Sequence, residues 1–113
     1  MESSRLGNSD LFVSKICLGT MTFGEQVTKK EAHKLIDYAY ERGINFIDSA
    51  EMYPVPQHTN TYGLSEEIVG QWFQQNPSRR SNIVCATKIA GPSRGMPWIR
   101  NGERIKSCLL YTS

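Results

Sequence analysis

Three side chains of this 113-residue chain have the types and positions to share acid–base chemistry: Asp48, Tyr53 and Lys88. Asp48 closes a largely apolar run from Ile44 to Ile47, and Tyr53 follows five positions later in a loop that carries Pro54 and Pro56. Lys88 closes a second run, Ile83-Val84-Cys85-Ala86-Thr87. A free phenol, with a pKa of about 10, is a poor proton donor near neutrality. A neighbouring ammonium favours the phenolate, and a carboxylate behind the lysine keeps that lysine charged. The three residues therefore have the types needed for a tuned phenol acid. Each also has a plainer use. Asp48 would serve to accept hydrogen bonds from the loop after it, Asp48 with Lys88 would make a structural ion pair, and Tyr53 would pack half-buried in its loop.

The elements that must position these groups follow from hydrophobic periodicity. Arg5 to Lys15 has turn residues Gly7, Asn8, Ser9 and Asp10 between short apolar pieces, which predicts a small hairpin. Ile16-Cys17-Leu18 predicts a short buried strand ending at Gly19-Thr20 and continuing as the loop Met21-Thr22-Phe23-Gly24. Thr28 to Arg42 predicts a helix. Thr28 and Glu31 have capping-box spacing, Ala32, Leu35, Ile36 and Ala39 form an apolar stripe, and Gly43 supplies the stop. After the strand ending at Asp48, Ser65 is the expected N-cap of a second helix with Glu66 and Glu67 in its first turn. Ile68, Val69, Trp72 and Phe73 are its buried stripe, and Pro77 ends it. The run 83–87 is the third strand.

Strand, helix, strand, helix, strand implies parallel pairing in an α/β fold with right-handed crossovers. In such sheets, open or rolled into a barrel, ligands bind outside the carboxyl ends of the strands. The three segments leaving those ends, Gly19 to Val27, Ser49 to Leu64 and Ile89 to about Gly102, exceed the ~2 to 6 residues usual for such joints. Asp48, Lys88 and Tyr53 all belong to that edge. A Rossmann phosphate loop is not supported, because Gly19 and Gly24 do not make the required pattern.

Composition narrows the function classes. A formal charge of +2, with no basic stripe, does not argue for nucleic acid. No apolar run approaches the ~18 residues of a membrane span, and the N-terminus leads into no secretory h-region, so a cytoplasmic address is expected. Cys17, Cys85 and Cys108 are odd in number and lack metal-ligand spacing. Cys17 and Cys85, inside strand-like runs, read as small hydrophobes. His33 and His58 read as surface residues, and no metal site is expected.

Several of these motifs together resemble the aldo-keto reductase family. Phe-Ile-Asp-Ser-Ala-Glu-Met-Tyr at 46 to 53 is similar to the family's aspartate-to-tyrosine signature, Ala-Thr-Lys at 86 to 88 to its lysine strand, and Leu-Gly-Thr-Met-Thr-Phe-Gly at 18 to 24 to the end of its first barrel strand. The Ala-Glu-Met-Tyr-Pro-Val-Pro loop and Gly-Pro-Ser-Arg at 91 to 94 resemble a bacterial branch of general aldo-keto reductases. The resemblance covers roughly residues 4 to 105. It implies a (β/α)8 TIM barrel of which the N-terminal hairpin and first three strand units are present. It further implies NADPH-dependent reduction of a small-molecule aldehyde or ketone, with hydride passing to the carbonyl carbon and Tyr53 donating the proton. Lys88, paired with Asp48, would poise the phenol. Gly19, Thr20, Met21 and Asp48 would lie against the cofactor, and Met96 or Trp98 would wall the substrate pocket or simply pack in the loop.

A complete barrel runs to ~250 residues, so the chain reads as residues 1–106 of a larger barrel, lacking the family's fourth-strand catalytic histidine. Residues 107–113, Ser-Cys-Leu-Leu-Tyr-Thr-Ser, read as a non-native tail. A three-strand piece leaves sheet edges unpaired, so this polypeptide alone is expected to be unstable and inactive. Two other functions compete. One is an NADPH-binding, redox-sensing regulatory subunit on the same barrel. The other is a flavodoxin-like binding module, which would need a phosphate loop after its first strand. The residues leave the oligomeric state open.

Overall fold

The computed structural model describes residues 1–91 and 95–99. Gly91 is therefore the only described member of the 91–94 motif, and the 107–113 tail with Cys108 lies outside the described residues.

A two-stranded antiparallel hairpin, β1 (Ser3–Arg5) and β2 (Phe12–Ser14), precedes the layered part. Its turn holds Gly7 at a left-handed φ of 58°. Asn45 fastens the hairpin to the sheet. Its Oδ1 accepts the Ser14 N–H at 2.7 Å, its Nδ2 donates to the Phe12 carbonyl at 3.0 Å, and its own N–H donates to Ser14 Oγ at 3.2 Å.

The main sheet has the order β3-β4-β5, all parallel, from β3 (Leu18–Gly19), β4 (Phe46–Asp48) and β5 (Val84–Ala86). Helices α1 (Lys29–Glu41) and α2 (Leu64–Gln75) make the crossovers. Their shared core holds Phe23, Ala32, Ile36, Ile47, Ile68, Val69, Trp72 and Ile83. Trp72, expected in the core, is almost wholly buried, with its indole N–H donating to Asp37 at 3.0 Å. The Arg79 guanidinium reaches the same carboxylate oxygen at 3.2 Å. Among the described residues no helix is long and apolar enough to cross a membrane.

Helix α1 starts as its sequence predicts. Thr28 Oγ1 accepts the Glu31 N–H at 3.2 Å and Glu31 Oε2 accepts the Thr28 N–H at 2.9 Å, a complete capping box. The Thr28 N–H first, and then the Thr28 hydroxyl, which donates to the same Oε2 at 3.1 Å, hold the Glu31 carboxyl below its ordinary range.

Several expectations need correction. Leu35 is 44% exposed, because the buried stripe of α1 runs through Ala32, Ile36 and Ala39. Leu35 instead lines an open groove of about 520 Å³ with Val27 and Tyr38. Ser65 does not cap α2. The cap position is Gly63, in a left-handed conformation, and Ser65, two positions on and within the first turn, is buried, donating to the Phe23 carbonyl at 2.7 Å. The hydroxyl is drawn there because Phe23, itself buried, needs a partner for its carbonyl. Pro77 ends α2 but also opens a short further turn, α3 (Pro77–Arg80). His33 is half-buried rather than on the surface, and its Nε2 meets the Ile68 carbonyl at 2.9 Å, linking α1 to α2. His58 is exposed. Ile16 and Cys17 are exposed and precede the paired part of the strand, which begins only at Leu18 on the edge of the described sheet. Cys85 is half-buried against the core.

Candidate active site

The register brings three strand ends into one row. Asp48 of β4 is paired with Gly19 of β3 on one side and with Ala86 of β5 on the other. Lys88 stands two residues beyond Ala86, on the same face of the sheet by the two-residue period of an extended chain. Its Nζ donates to Asp48 Oδ2 at 2.7 Å and to the Ser49 carbonyl at 2.7 Å. The same ammonium lies over the Tyr53 ring, 4.9 Å from its centroid. The structure thus assembles all three of the predicted chemical groups at the carboxyl edge of the sheet.

Lys88 closes a strand run, yet among the described residues it is not buried. Its side chain is 44% exposed and that of Asp48 is 38% exposed, because this face of the sheet is open. Both groups are open to water in this segment, and the pair fixes where the ammonium points. Burial lowers the lysine pKa, but the hydrogen bonds and charges of Asp48 and then Tyr53 outweigh it, and the net value lies above the ordinary one.

The neighbouring loops are tied to this row. Thr20 is wholly buried, with Oγ1 at 3.0 Å from the Asp48 carbonyl and 2.9 Å from Ser49 Oγ, and its N–H donates to the Asp48 carbonyl at 3.1 Å. Its side chain therefore locks β3 to β4. Met21 is exposed, and its carbonyl accepts the Val55 N–H at 2.8 Å, which holds the proline loop beside the β3 exit. Gly19 opens onto free space, with no heavy atom within 4 Å of the place a Cβ would occupy. Gly24 is the opposite case. At φ 102° it has room for no side chain, since a Cβ would stand 2.7 Å from Leu64 Cγ.

Met96 and Trp98 are half-buried in the segment 95–99, where the Met96 carbonyl accepts the Ile99 N–H at 3.1 Å. Burial pushes both described thiols up, helped by the Asp48 charge at Cys17, so neither is an activated nucleophile. Among the described residues no group of three His, Cys, Asp or Glu could hold a metal ion. The groove along α1 contains none of Asp48, Tyr53 and Lys88. The chemical groups converge in the charged cluster at the strand ends, away from that groove.

Two contributors escaped the sequence reading. Ser49 supplies a carbonyl to Lys88, and Glu51 Oε1 accepts the Ala90 N–H at 2.7 Å. Both lie inside the motif 46–53, but their partners are 39 residues away, and no local pattern marks such contacts.

Residues 15–108 match the model of the aldo/keto reductase family. The chain belongs to that family. It is 51% identical over 94 residues to Protein tas of Escherichia coli, covering 83% of this chain and 27% of that protein. It is 42% identical over 92 residues to the uncharacterized oxidoreductase YrpG of Bacillus subtilis, covering 81% of this chain and 27% of the other. Among solved structures it is similar to the holo form of aldo-keto reductase AKR11C1 from Bacillus halodurans, with a TM-score of 0.64, 35% identity, and coverage of 80% of this chain and 26% of that one. The chain thus spans about a quarter of the length of these relatives. The strand units described above are the first units of a (β/α)8 barrel.

Proposed function

We propose that the complete barrel carrying this segment is an oxidoreductase that reduces a small-molecule aldehyde or ketone to an alcohol at the expense of NADPH. The observation that carries the reading is the Lys88 ammonium, held by Asp48 at 2.7 Å and lying over the Tyr53 ring. Family members generally use a nicotinamide cofactor, and the residues present suit its nicotinamide end. Gly19 leaves a clear floor beside Asp48, and the Thr20 and Ser49 hydroxyls fix that floor from below. When bound, the cofactor supplies hydride to the carbonyl carbon.

The chain's own residues do the rest. Tyr53 gives its phenolic proton to the carbonyl oxygen as negative charge gathers there. Lys88 then faces the phenolate and offsets its charge, and Asp48 keeps Lys88 aimed at the ring. Such stabilisation of developing charge by preorganised groups is usually a large part of catalysis. Gly19, Thr20, Met21 and Asp48 are the proposed cofactor contacts, with Met96 or Trp98 as candidate pocket walls. The cofactor-sensing alternative gains nothing specific from this geometry, which suits proton donation directly.

Replacing Tyr53 by Phe in the complete protein tests the reading. Turnover of an aldehyde panel should fall by ~10²- to 10⁴-fold, the usual scale for losing a general acid. NADPH affinity, followed by quenching of tryptophan fluorescence, should be nearly unchanged. Equal loss of binding and turnover would make Tyr53 a structural residue.

A further inference from the structure

Lys88 lies outside the β4–β5 ladder, which ends at Ala86, and Thr87, Lys88 and Ile89 are all exposed. A residue so placed needs something to hold its backbone if its ammonium is to meet Tyr53. The ladder's hydrogen bonds show what does so. On one side they step by two residues, from the Ser49 N–H to the Ala86 carbonyl at 2.9 Å and from the Glu51 N–H to the Lys88 carbonyl at 3.1 Å. On the other side the series begins with the Val84 N–H donating to the Asn45 carbonyl at 2.8 Å. At that spacing, the Ala90 N–H would donate to the Glu51 carbonyl. It donates instead to the Glu51 side chain, at Oε1, 2.7 Å away.

One step earlier on this side the Ser49 carbonyl takes the Lys88 ammonium at 2.7 Å, and at the following step the Glu51 carboxylate receives the Ala90 N–H in a carbonyl's place. The substitution has a consequence for Tyr53. A longer acceptor reaches Ala90 while the Glu51 backbone turns away, and that turn closes two residues later with the Tyr53 N–H donating to the Ala50 carbonyl at 3.1 Å. Glu51 therefore sits inside the turn that projects Tyr53 and grips the segment that carries Lys88 from both sides of Ile89.

We infer that Glu51 is a positioning residue: by bonding the Lys88 carbonyl through its backbone and the Ala90 N–H through its carboxylate, it sets the separation between the Lys88 ammonium and the Tyr53 ring. The inference rests on the proposed proton-donor role of Tyr53 for its effect on rate, but the clamp itself can be measured without substrate.

The test compares Glu51→Gln and Glu51→Ala in the complete protein. Glutamine keeps an oxygen acceptor for the Ala90 N–H, and alanine does not. Amide exchange at Ala90, read by NMR, should accelerate at least ~10-fold in the alanine variant, the expected result of freeing a protected N–H, and much less in the glutamine variant. A crystal structure of the alanine variant should show Lys88 Nζ displaced from its place over the Tyr53 ring. In turnover, alanine should lower kcat by ~10- to 100-fold with NADPH affinity unchanged, as expected for a small misplacement at a catalytic centre, and glutamine should restore most of it. Unchanged Ala90 exchange, or Lys88 still over the ring in the alanine variant, overturns the inference. If the wild-type protein reduces no carbonyl, the proposed function fails, and the exchange and crystallographic results still decide the clamp.

Discussion

Replacing Lys88 by Met keeps most of the aliphatic stem and removes the charge, and the structure sets the size of the expected effect. The ammonium is 4.9 Å from the Tyr53 ring centroid. At an effective dielectric of ~20, a unit charge at that range stabilises the phenolate by about 3 kcal/mol. That corresponds to a loss of ~100-fold or somewhat more in kcat. Stability should change far less. The ion pair with Asp48 is more than one-third exposed at both ends, so it contributes only ~0 to 1 kcal/mol. Because the lysine pKa is raised, its stabilising contribution is complete below the ordinary value of 10.5 and is lost only as pH climbs through the higher folded value. The rate deficit should therefore persist unchanged across neutral pH. The assay is kcat at saturating NADPH and aldehyde, beside a thermal melt of the same preparation. A kcat within about fivefold of wild type would refute the electrostatic argument, since even a doubled dielectric leaves more than that. A collapse of Tm with loss of cofactor binding would instead assign Lys88 to the fold.

Two further outcomes concern the scaffold. Ser65→Ala leaves the buried Phe23 carbonyl without its donor, and urea unfolding of the complete protein should show a loss of ~1 to 3 kcal/mol. A loss under ~0.5 kcal/mol would mean that the bond adds nothing net. Glu31 has a folded pKa below its ordinary 4.5, so its capping contribution is present above that value and fades as pH falls through the lower folded one. Acid titration of stability should be shallower in Glu31→Gln than in wild type. Identical slopes would show that the capping box carries no proton linkage.

The sequence exposed what repeats locally. Capping spacing located the start of α1, apolar runs located the three parallel strands, and the position of Asp48 and Lys88 at run ends placed both on the carboxyl edge. The errors lie where long-range partners override local preference. Ser65 has an N-cap's composition, yet its hydroxyl serves a carbonyl 42 residues earlier in the chain. Leu35 fits the helical stripe by spacing, yet the face buried against the sheet is rotated away from it.

By itself, then, the order of residue types determined the alternation of strands and helices and which side chains stand at the strand exits, because both depend on periodicities of two and 3.6 residues. The tertiary structure decided which exits are neighbours. Only the register of β4 against β5 puts Lys88 Nζ at 2.7 Å from Asp48 and over Tyr53, and only it presents the Ala90 N–H to Glu51. A shift of one residue in that pairing would turn Lys88 to the opposite face of the sheet, for the side chains of an extended chain alternate.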